Sequence, residues 1–321
     1  MTPSGRGPVG VLVMAHGTPA TVADIEPFYT AIRRGRPPPP PLLDDLVDRY
    51  QAIGGTSPLT ARTRAQVDGL AGALEARAPS RYLVRYGAKH VSPTIEEGMG
   101  ELAAAGVDHV VCMVLTPHQS SLGSGEYLSR AADAAAGATP PLECTGVPSW
   151  HRAPGLADLL ADRAQTALDT IEADRRRHVA VFFTAHSLPV RVVADGDPYP
   201  DQVAESAADI ADILGLDREP GLTWSVAWQS AGRTSDPWLG PDLLGEIRRA
   251  GDGGATAVAV CPVGFVSDHL EVLYDLDIEA RRVAGAAGLA FARTTSLNDD
   301  PRFVAILAGV VERAASPALS A

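Results

Sequence analysis

The sequence predicts an α/β protein made of two similar doubly wound domains with parallel sheets, and three observations support this prediction. Short apolar runs alternate with stretches of helical period along the chain. The runs are continuous, which is typical of parallel strands covered on both faces. In addition, residues 11–19 and 181–189 each form an apolar run that ends in Ala-His-x-x-Pro. This repeat suggests a duplicated domain, although so short a match also arises by chance.

Seven apolar runs are the predicted strands, and the stretches of helical period between them are the predicted helices. The strands are 9–14, 82–86, 109–115, 178–183, 222–228, 255–261 and 289–292. The helices include 61–76, 94–105, 155–173, 200–214 and 241–250. Strands that alternate with helices in this way predict parallel β-α-β units.

The domain boundary is expected between residues 145 and 178. This divides the chain into Rossmann-like domains at 1–150 and 151–321, with a last helix that packs back on the first domain. Ligands of such sheets bind beyond the carboxyl ends of the strands. A shared cleft is therefore expected where the first strands of the two halves end.

Composition excludes several classes of protein. The apolar fraction is 45% and the charged fraction 21%, which is ordinary for a globular chain. The net charge is -12, which argues against nucleic-acid binding and against an anionic membrane surface. Three cysteines, far apart and without a CxxC pair, predict a reducing compartment and no disulfide framework.

Two segments bear on localisation. Residues 1–15 lack the apolar core and cleavage site of a signal peptide. The longest uncharged apolar-leaning stretch, 253–267, is too short to span a bilayer. A soluble cytoplasmic protein without a membrane span is therefore expected.

A basic cluster precedes a run of prolines. Arg33, Arg34 and Arg36 are followed by five prolines at 37–41, which predict a stiff exposed loop. The cluster is either a solvated charged run or a clamp for carboxylates, to which arginine donates two parallel hydrogen bonds.

A row of carboxylates follows the predicted strand 255–261. Asp268, Glu271, Asp275 and Glu279 are spaced so that they share one face of an α-helix. Like charges repel at this spacing, so a cation is expected to offset them. The alternative is an exposed acidic face.

His186 ends another predicted buried strand, where it is either a turn residue or a ligand. An imidazole beside carboxylates suits a divalent metal such as Fe²⁺. Because HExxH and CxxC spacings are absent, a transiently bound metal fits better than structural zinc. A GxSxG elbow, a P-loop and a GxGxxG motif after a strand are absent too.

At these residues the chain resembles the ferrochelatases, most closely the branch of monoderm bacteria that inserts iron into coproporphyrin III. The matching segments run along nearly the whole sequence. They include 17–19, 29–36, 48–59, 89–90, 185–189, 196–202, 228–230, 236–242 and 262–275.

The resemblance implies a chelatase-like fold with a porphyrin cleft between the two domains, and roles for the candidate metal residues. His186 and Glu271 would bind Fe²⁺ and accept the pyrrole protons, and Asp275 and Glu279 would continue outward as a path for metal or protons. The implied reaction inserts ferrous iron into coproporphyrin III in haem biosynthesis and releases two protons.

The resemblance to the ferrochelatases also implies which residues bind the porphyrin. These are Arg33, Arg49, Tyr50, Ser57 and Tyr127, with Lys89, His90 and Trp228 nearby in matched segments. This branch usually carries Tyr where His16 stands. His16 would ligate the product iron from the side opposite His186, or else only hydrogen-bond its own turn.

The remaining expectations concern cofactors and alternatives. Many actinobacterial relatives hold an iron–sulfur cluster, but here no cysteine follows Cys261, so no cluster is expected and iron is only a substrate. The protein is expected to be a monomer, with transient contacts to other haem-pathway enzymes.

The alternative functions are those of a chelatase for protoporphyrin IX or for another tetrapyrrole and metal such as cobalt, and of a non-catalytic haem carrier. A carrier would need no proton acceptor at Glu271.

Overall fold

The computed structural model describes residues 7–320, and the chain divides into two compact units. The first unit comprises Met1–Pro117, Ser121–Trp150 and Asn298–Ala321, and the second comprises His118–Ser120 and His151–Leu297. The predicted absence of a signal peptide depends partly on residues 1–6, which lie outside the described residues.

Each unit contains one four-stranded parallel sheet. In the first unit the strands are β1 (Val9–Ala15), β2 (Tyr82–Ala88), β3 (His109–Val114) and β4 (Glu143–Val147), in the order β2-β1-β3-β4. In the second they are β5 (Val179–His186), β6 (Leu222–Gln229), β7 (Ala257–Cys261) and β8 (Ala290–Arg293), in the order β6-β5-β7-β8. All their pairings are parallel, which confirms the predicted α/β class.

Helices cover the sheets. They are α1 (Ile25–Ile32), α2 (Pro40–Ala52), α3 (Leu59–Arg77), α4 (Ile95–Ala104), α5 (Glu126–Gly137), α6 (Leu156–Asp169), α7 (Val190–Ala194), α8 (Tyr199–Leu214), α9 (Leu243–Asp252), α10 (Arg281–Ala286) and α11 (Pro301–Ser320). Among residues 7–320 no helix has the length and apolar character needed to cross a bilayer.

The two sheets repeat one topology. The similar segments at 11–19 and 181–189 run along β1 and β5, and each of these strands lies between the second and third strands of its sheet. All residues of β1 and all but the last of β5 are buried, as expected of strands covered on both faces. His186 therefore lies at the carboxyl end of a central strand, where the strand order reverses and ligands bind.

Strand β4 was not among the predicted strands. Of its five residues only Cys144 and Val147 are apolar, so it lacks the continuous run that identified the others. It pairs only with β3 and forms one edge of its sheet. An edge strand needs less apolar surface, which is why its signal is weak.

Local contacts explain how two helices of the first unit are placed. α4 begins with a capping box, because the Thr94 side chain accepts a hydrogen bond from the Glu97 N–H and Glu97 accepts one from the Thr94 N–H. α11 packs on α3, where Arg77 lies 3.0 Å from the Glu312 carboxylate and donates to the Ala305 carbonyl. The last helix therefore belongs to the first unit.

Candidate active site

His186 is the last residue of β5, and its backbone and ring are both fixed. The Tyr199 hydroxyl donates a hydrogen bond of 3.1 Å to the His186 carbonyl. Nδ1 of His186 lies 2.6 Å from the Ser187 carbonyl, so this nitrogen carries a hydrogen and donates it. The other nitrogen, Nε2, is then directed at Glu271 Oε1 at 3.5 Å.

The loop after β7 brings Glu271 to this position. A side chain on Gly264 would place its Cβ only 2.7 Å from the Cβ of Ala185, so glycine allows the loop to lie directly against β5. The chain then turns into a helix that carries Glu271. The sequence prediction that His186 and Glu271 lie together agrees with this geometry.

A second imidazole contacts the same carboxylate. His269 Nε2 lies 3.7 Å from Glu271 Oε2, and its Nδ1 faces the Ser267 carbonyl at 3.0 Å. The ring stacks at a tilt on Phe265, with centroids 4.8 Å apart. His269 is not among the predicted site residues, although a histidine two residues before the predicted ligand Glu271 is a usable signal.

The charges of this cluster form an ion pair. Burial acts to lower the pKa of His186, but the carboxylates of Glu271 and Asp275 and the hydrogen bonds outweigh it and raise the pKa to about 9. Burial acts to raise the pKa of Glu271, but His186 and His269 hold it well below its usual range. At neutral pH His186 is therefore an imidazolium beside the carboxylate of Glu271.

The carboxylate row differs from the prediction in two ways. Val272–Ala280 form a π-helix rather than an α-helix, and it carries Asp275 and Glu279. Asp275 is buried and accepts a hydrogen bond from Ser230, whereas Glu279 is half-buried. The prediction for Asp268 was wrong, because this residue precedes the helix and accepts a hydrogen bond from Ser296 instead of joining the row.

In the first unit, His16 follows β1 and is exposed. Its Nδ1 lies 3.2 Å from the Gly17 carbonyl, and its ring centroid lies 4.7 Å from that of His90. Burial, with the nearby charges of His16, Lys89 and Arg130, lowers the pKa of His90 to about 3. His90 is therefore neutral in the folded protein.

The two predicted arginines have local partners. Arg33 follows α1, donates through Nε to the Arg36 carbonyl and lies over the Tyr29 ring. Arg49, on α2, donates to Asp45 at 3.0 Å. Both are partly exposed, so an incoming carboxylate has access to them.

The predicted porphyrin residues with hydroxyl groups are buried. Tyr50 is hydrogen-bonded to the Thr18 hydroxyl at 3.0 Å, and the Ser57 hydroxyl accepts from the Leu59 N–H. Tyr127 packs in the core of the first unit, with Lys89 Nζ 4.9 Å above its ring. A role for these three residues in porphyrin binding stays a prediction.

Two solved structures have a fold similar to that of this chain. The chain superposes on SirB from Bacillus subtilis with Fe³⁺ at a TM-score of 0.55 and 12% identity, covering 98% of both chains. It superposes on CbiX, described as the terminal enzyme for biosynthesis of sirohaem in denitrifying bacteria, at 0.53 and 15% identity, covering 95% of this chain and 98% of that one. At these identities the likeness establishes the fold alone.

Sequence comparison establishes the family. The ferrochelatase family model matches residues 8–315. A ferrochelatase of Herpetosiphon aurantiacus is 41% identical, covering 94% of this chain and 97% of that one. The coproporphyrin III ferrochelatases of Bacillus pumilus and Bacillus subtilis are 42% and 41% identical, covering 94% and 95% of this chain and 96% and 97% of theirs. The chain therefore belongs to the ferrochelatase family, whose members insert iron in haem biosynthesis.

Proposed function

We propose that this ferrochelatase acts on coproporphyrin III, forming Fe-coproporphyrin and releasing two protons. The observation that carries the chemistry is the 3.5 Å pair of His186 and Glu271 at the carboxyl end of β5. The porphyrin is suggested by the Bacillus relatives named for it. Arg33, Arg34 and Arg36 also suit a substrate with four carboxylates.

The pair would receive the metal through His186 Nε2. Iron binds only the neutral imidazole, so binding of Fe²⁺ would release to solvent the proton that Glu271 stabilises on Nε2. Over residues 7–320 no group of three or more His, Cys, Asp and Glu side chains is arranged to hold a metal ion. Two side chains supply only part of the coordination shell of an ion, so His186 and Glu271 would leave positions open for the porphyrin nitrogens, as transfer of the metal requires.

With Fe²⁺ on Nε2, His186 accepts no porphyrin proton, so Glu271 is the one proton acceptor left in the pair. Two protons leave the porphyrin, so at least one must pass onward. Asp275, buried and hydrogen-bonded by Ser230, is a carboxylate on the same helical segment that is suited to this step. Glu279, on the same π-helix, would follow it toward solvent.

An iron–sulfur cluster is not part of this proposal. The chain has three cysteines, fewer than the four that a cluster held by cysteine alone requires. Cys112 and Cys144 contact each other across β3 and β4, and Cys261 is buried in β7 of the other unit.

Metal affinity should depend on pH. Because the pKa of His186 is raised to about 9, a proton competes with the metal at all lower pH values. We expect the affinity for Co²⁺ to rise about tenfold per pH unit from pH 6.5 to 8.5. Glu271→Gln removes the carboxylate that contributes most to raising the pKa of His186. Titration calorimetry should therefore find that the Co²⁺ affinity of this variant depends much less on pH. An equally steep dependence in that variant would contradict the pairing.

Arg33→Ala and Arg49→Ala should weaken porphyrin binding more than turnover. Each loses a charge-assisted hydrogen bond to a propionate, so we expect the porphyrin KM to rise roughly tenfold with kcat little changed. Arg81→Ala, an exposed arginine of the same unit, is the matched control. If the porphyrin methyl ester has the same KM and kcat as the free acid, Arg33 and Arg49 do not bind the propionates.

His16 should ligate the iron of the product. The absorption spectrum of the ferric product complex should be that of a histidine ligand in the wild type. It should change in His16→Ala and resemble a phenolate complex in His16→Tyr. Identical spectra in all three proteins would show that His16 only contacts its own turn and His90.

The choice of porphyrin is tested by anaerobic Fe²⁺ insertion into coproporphyrin III and protoporphyrin IX in parallel. We expect a higher kcat/KM for coproporphyrin III. A preference for protoporphyrin IX would overturn the proposed substrate while leaving the chelatase activity intact.

A further inference from the structure

Arg293, the last residue of β8, is a half-buried cation that the proposed reaction does not use. Its side chain is 12% exposed. Nε and Nη2 donate to the two oxygens of Asp277 at 2.7 and 2.8 Å, a bidentate contact. Nη1 donates to the Thr294 carbonyl at 2.8 Å and lies 3.6 Å from Asp268 Oδ1.

The two carboxylates it contacts lie on either side of the candidate metal residue. Asp268 is three residues before Glu271, and Asp277 is two residues after Asp275. Asp268 is held again by the Ser296 hydroxyl at 2.7 Å. A single guanidinium therefore contacts carboxylates on both sides of the segment that carries Glu271 and Asp275.

The helix in this segment, Val272–Ala280, is of an unusual kind. A π-helix is rare, and it occurs mostly where function requires it. Arg281 provides a second link to β8, because its Nε donates to the Asp277 carbonyl and its guanidinium lies 5.0 Å from the centroid of the Phe291 ring. Asp277 is thus held through both its side chain and its carbonyl.

We infer that Arg293 is a positioning residue that holds the Glu271 carboxylate at the distance from His186 at which the pair receives a metal ion. This inference rests on the proposed function of that pair. Without the guanidinium, Asp268 and Asp277 would repel each other, and the ends of the segment would move apart. Displacement of a reacting group by about 1 Å can cost about 100-fold in rate.

The test compares Arg293→Gln, Arg293→Lys and Asp277→Asn with the wild type. The control is Arg218→Gln, which removes an exposed arginine that pairs with Asp212 in the same unit. Two sets of quantities are measured: Co²⁺ affinity of the porphyrin-free protein by calorimetry, and kcat with the KM values for iron and porphyrin. Circular dichroism establishes the temperature range in which each variant is folded.

In Arg293→Gln we expect Co²⁺ affinity and kcat to fall at least tenfold, with the porphyrin KM unchanged within twofold. Arg293→Lys keeps the charge but loses the bidentate contact, so it should recover part of the loss. Asp277→Asn should change the same quantities in the same direction as Arg293→Gln, and Arg218→Gln should change none.

Wild-type Co²⁺ affinity and kinetic constants in a folded Arg293→Gln would refute the inference, even with a lower melting temperature. If that variant does not fold, the same result in Arg293→Lys and Asp277→Asn refutes it. If the wild type inserts iron into neither porphyrin, the proposed function fails, and Co²⁺ affinity still decides the role of Arg293.

Discussion

Replacing Glu271 with Gln is expected to abolish metal insertion while porphyrin affinity stays within about twofold of the wild type. The amide keeps the size of the side chain but neither accepts a proton nor balances the charge of His186. Loss of a general base costs about 10²–10⁴ in rate. Anaerobic single-turnover insertion measures the loss, and quenching of porphyrin fluorescence measures affinity.

Two further variants complete this experiment. Glu219→Gln, an exposed glutamate in the same unit, should behave as the wild type. His186→Ala should lose metal insertion more than porphyrin affinity, because it removes the nitrogen proposed to bind the ion. Near-normal turnover in Glu271→Gln would remove Glu271 from the mechanism.

His118 should make the protein sensitive to acid. Its side chain is 1% exposed, its Nε2 is hydrogen-bonded to the Ser206 hydroxyl, and its Nδ1 is buried without a partner among residues 7–320. The His151 and Tyr199 rings face it, with centroids at 5.7 and 6.0 Å. Burial, with a smaller contribution from His151, lowers the pKa of His118 to about 3.

The direction of the effect on stability follows from the pKa of His118 in the unfolded chain and its pKa in the folded chain. Below pH 6.5 the unfolded chain binds a proton at His118 that the folded chain does not accept until about pH 3. The free energy of unfolding therefore falls by about 1.4 kcal/mol per pH unit across this window, and this residue has no effect above it. His90, whose pKa is lowered to about 3, adds an effect of the same sign.

Urea denaturation at pH 7.5 and pH 5 measures this loss. His118→Gln retains a group that can hydrogen-bond Ser206, and we expect it to lose less stability between the two pH values than the wild type. His178→Gln, an exposed histidine of the same unit, is the control. An equal loss in the wild type and His118→Gln would contradict the assignment.

The sheets were predictable because their central strands are buried on both faces. β1 has no polar side chain and β5 is apolar from Val179 to Phe183, and the Ala-His-x-x-Pro repeat places His186 at the end of a central strand. β4 was missed because Glu143 and Thr145 interrupt its pattern. The apolar pattern of an edge strand is weak and hard to recognise in a single sequence.

The site was predictable where its residues lie in one motif and not where partners come from other elements. The spacing of Glu271, Asp275 and Glu279 predicts that they share one helical segment. No pattern in the sequence predicts the contact of Arg293 with Asp268, 25 residues earlier. The π-helix was not predicted either, because carboxylates four residues apart, such as Glu271 and Asp275, lie close to one face in an α-helix and in a π-helix alike. Tyr199 likewise reaches the His186 carbonyl from α8.

The most direct test of the proposed metal pair is a crystal structure of the protein soaked with Zn²⁺, with the ion located by its anomalous scattering. Zn²⁺ stands in for Fe²⁺ because it takes the same nitrogen and oxygen donors without redox chemistry. We expect one strong peak about 2 Å from His186 Nε2 and from a carboxylate oxygen of Glu271. A metal bound elsewhere, with His186 and Glu271 still paired to each other, would contradict the account.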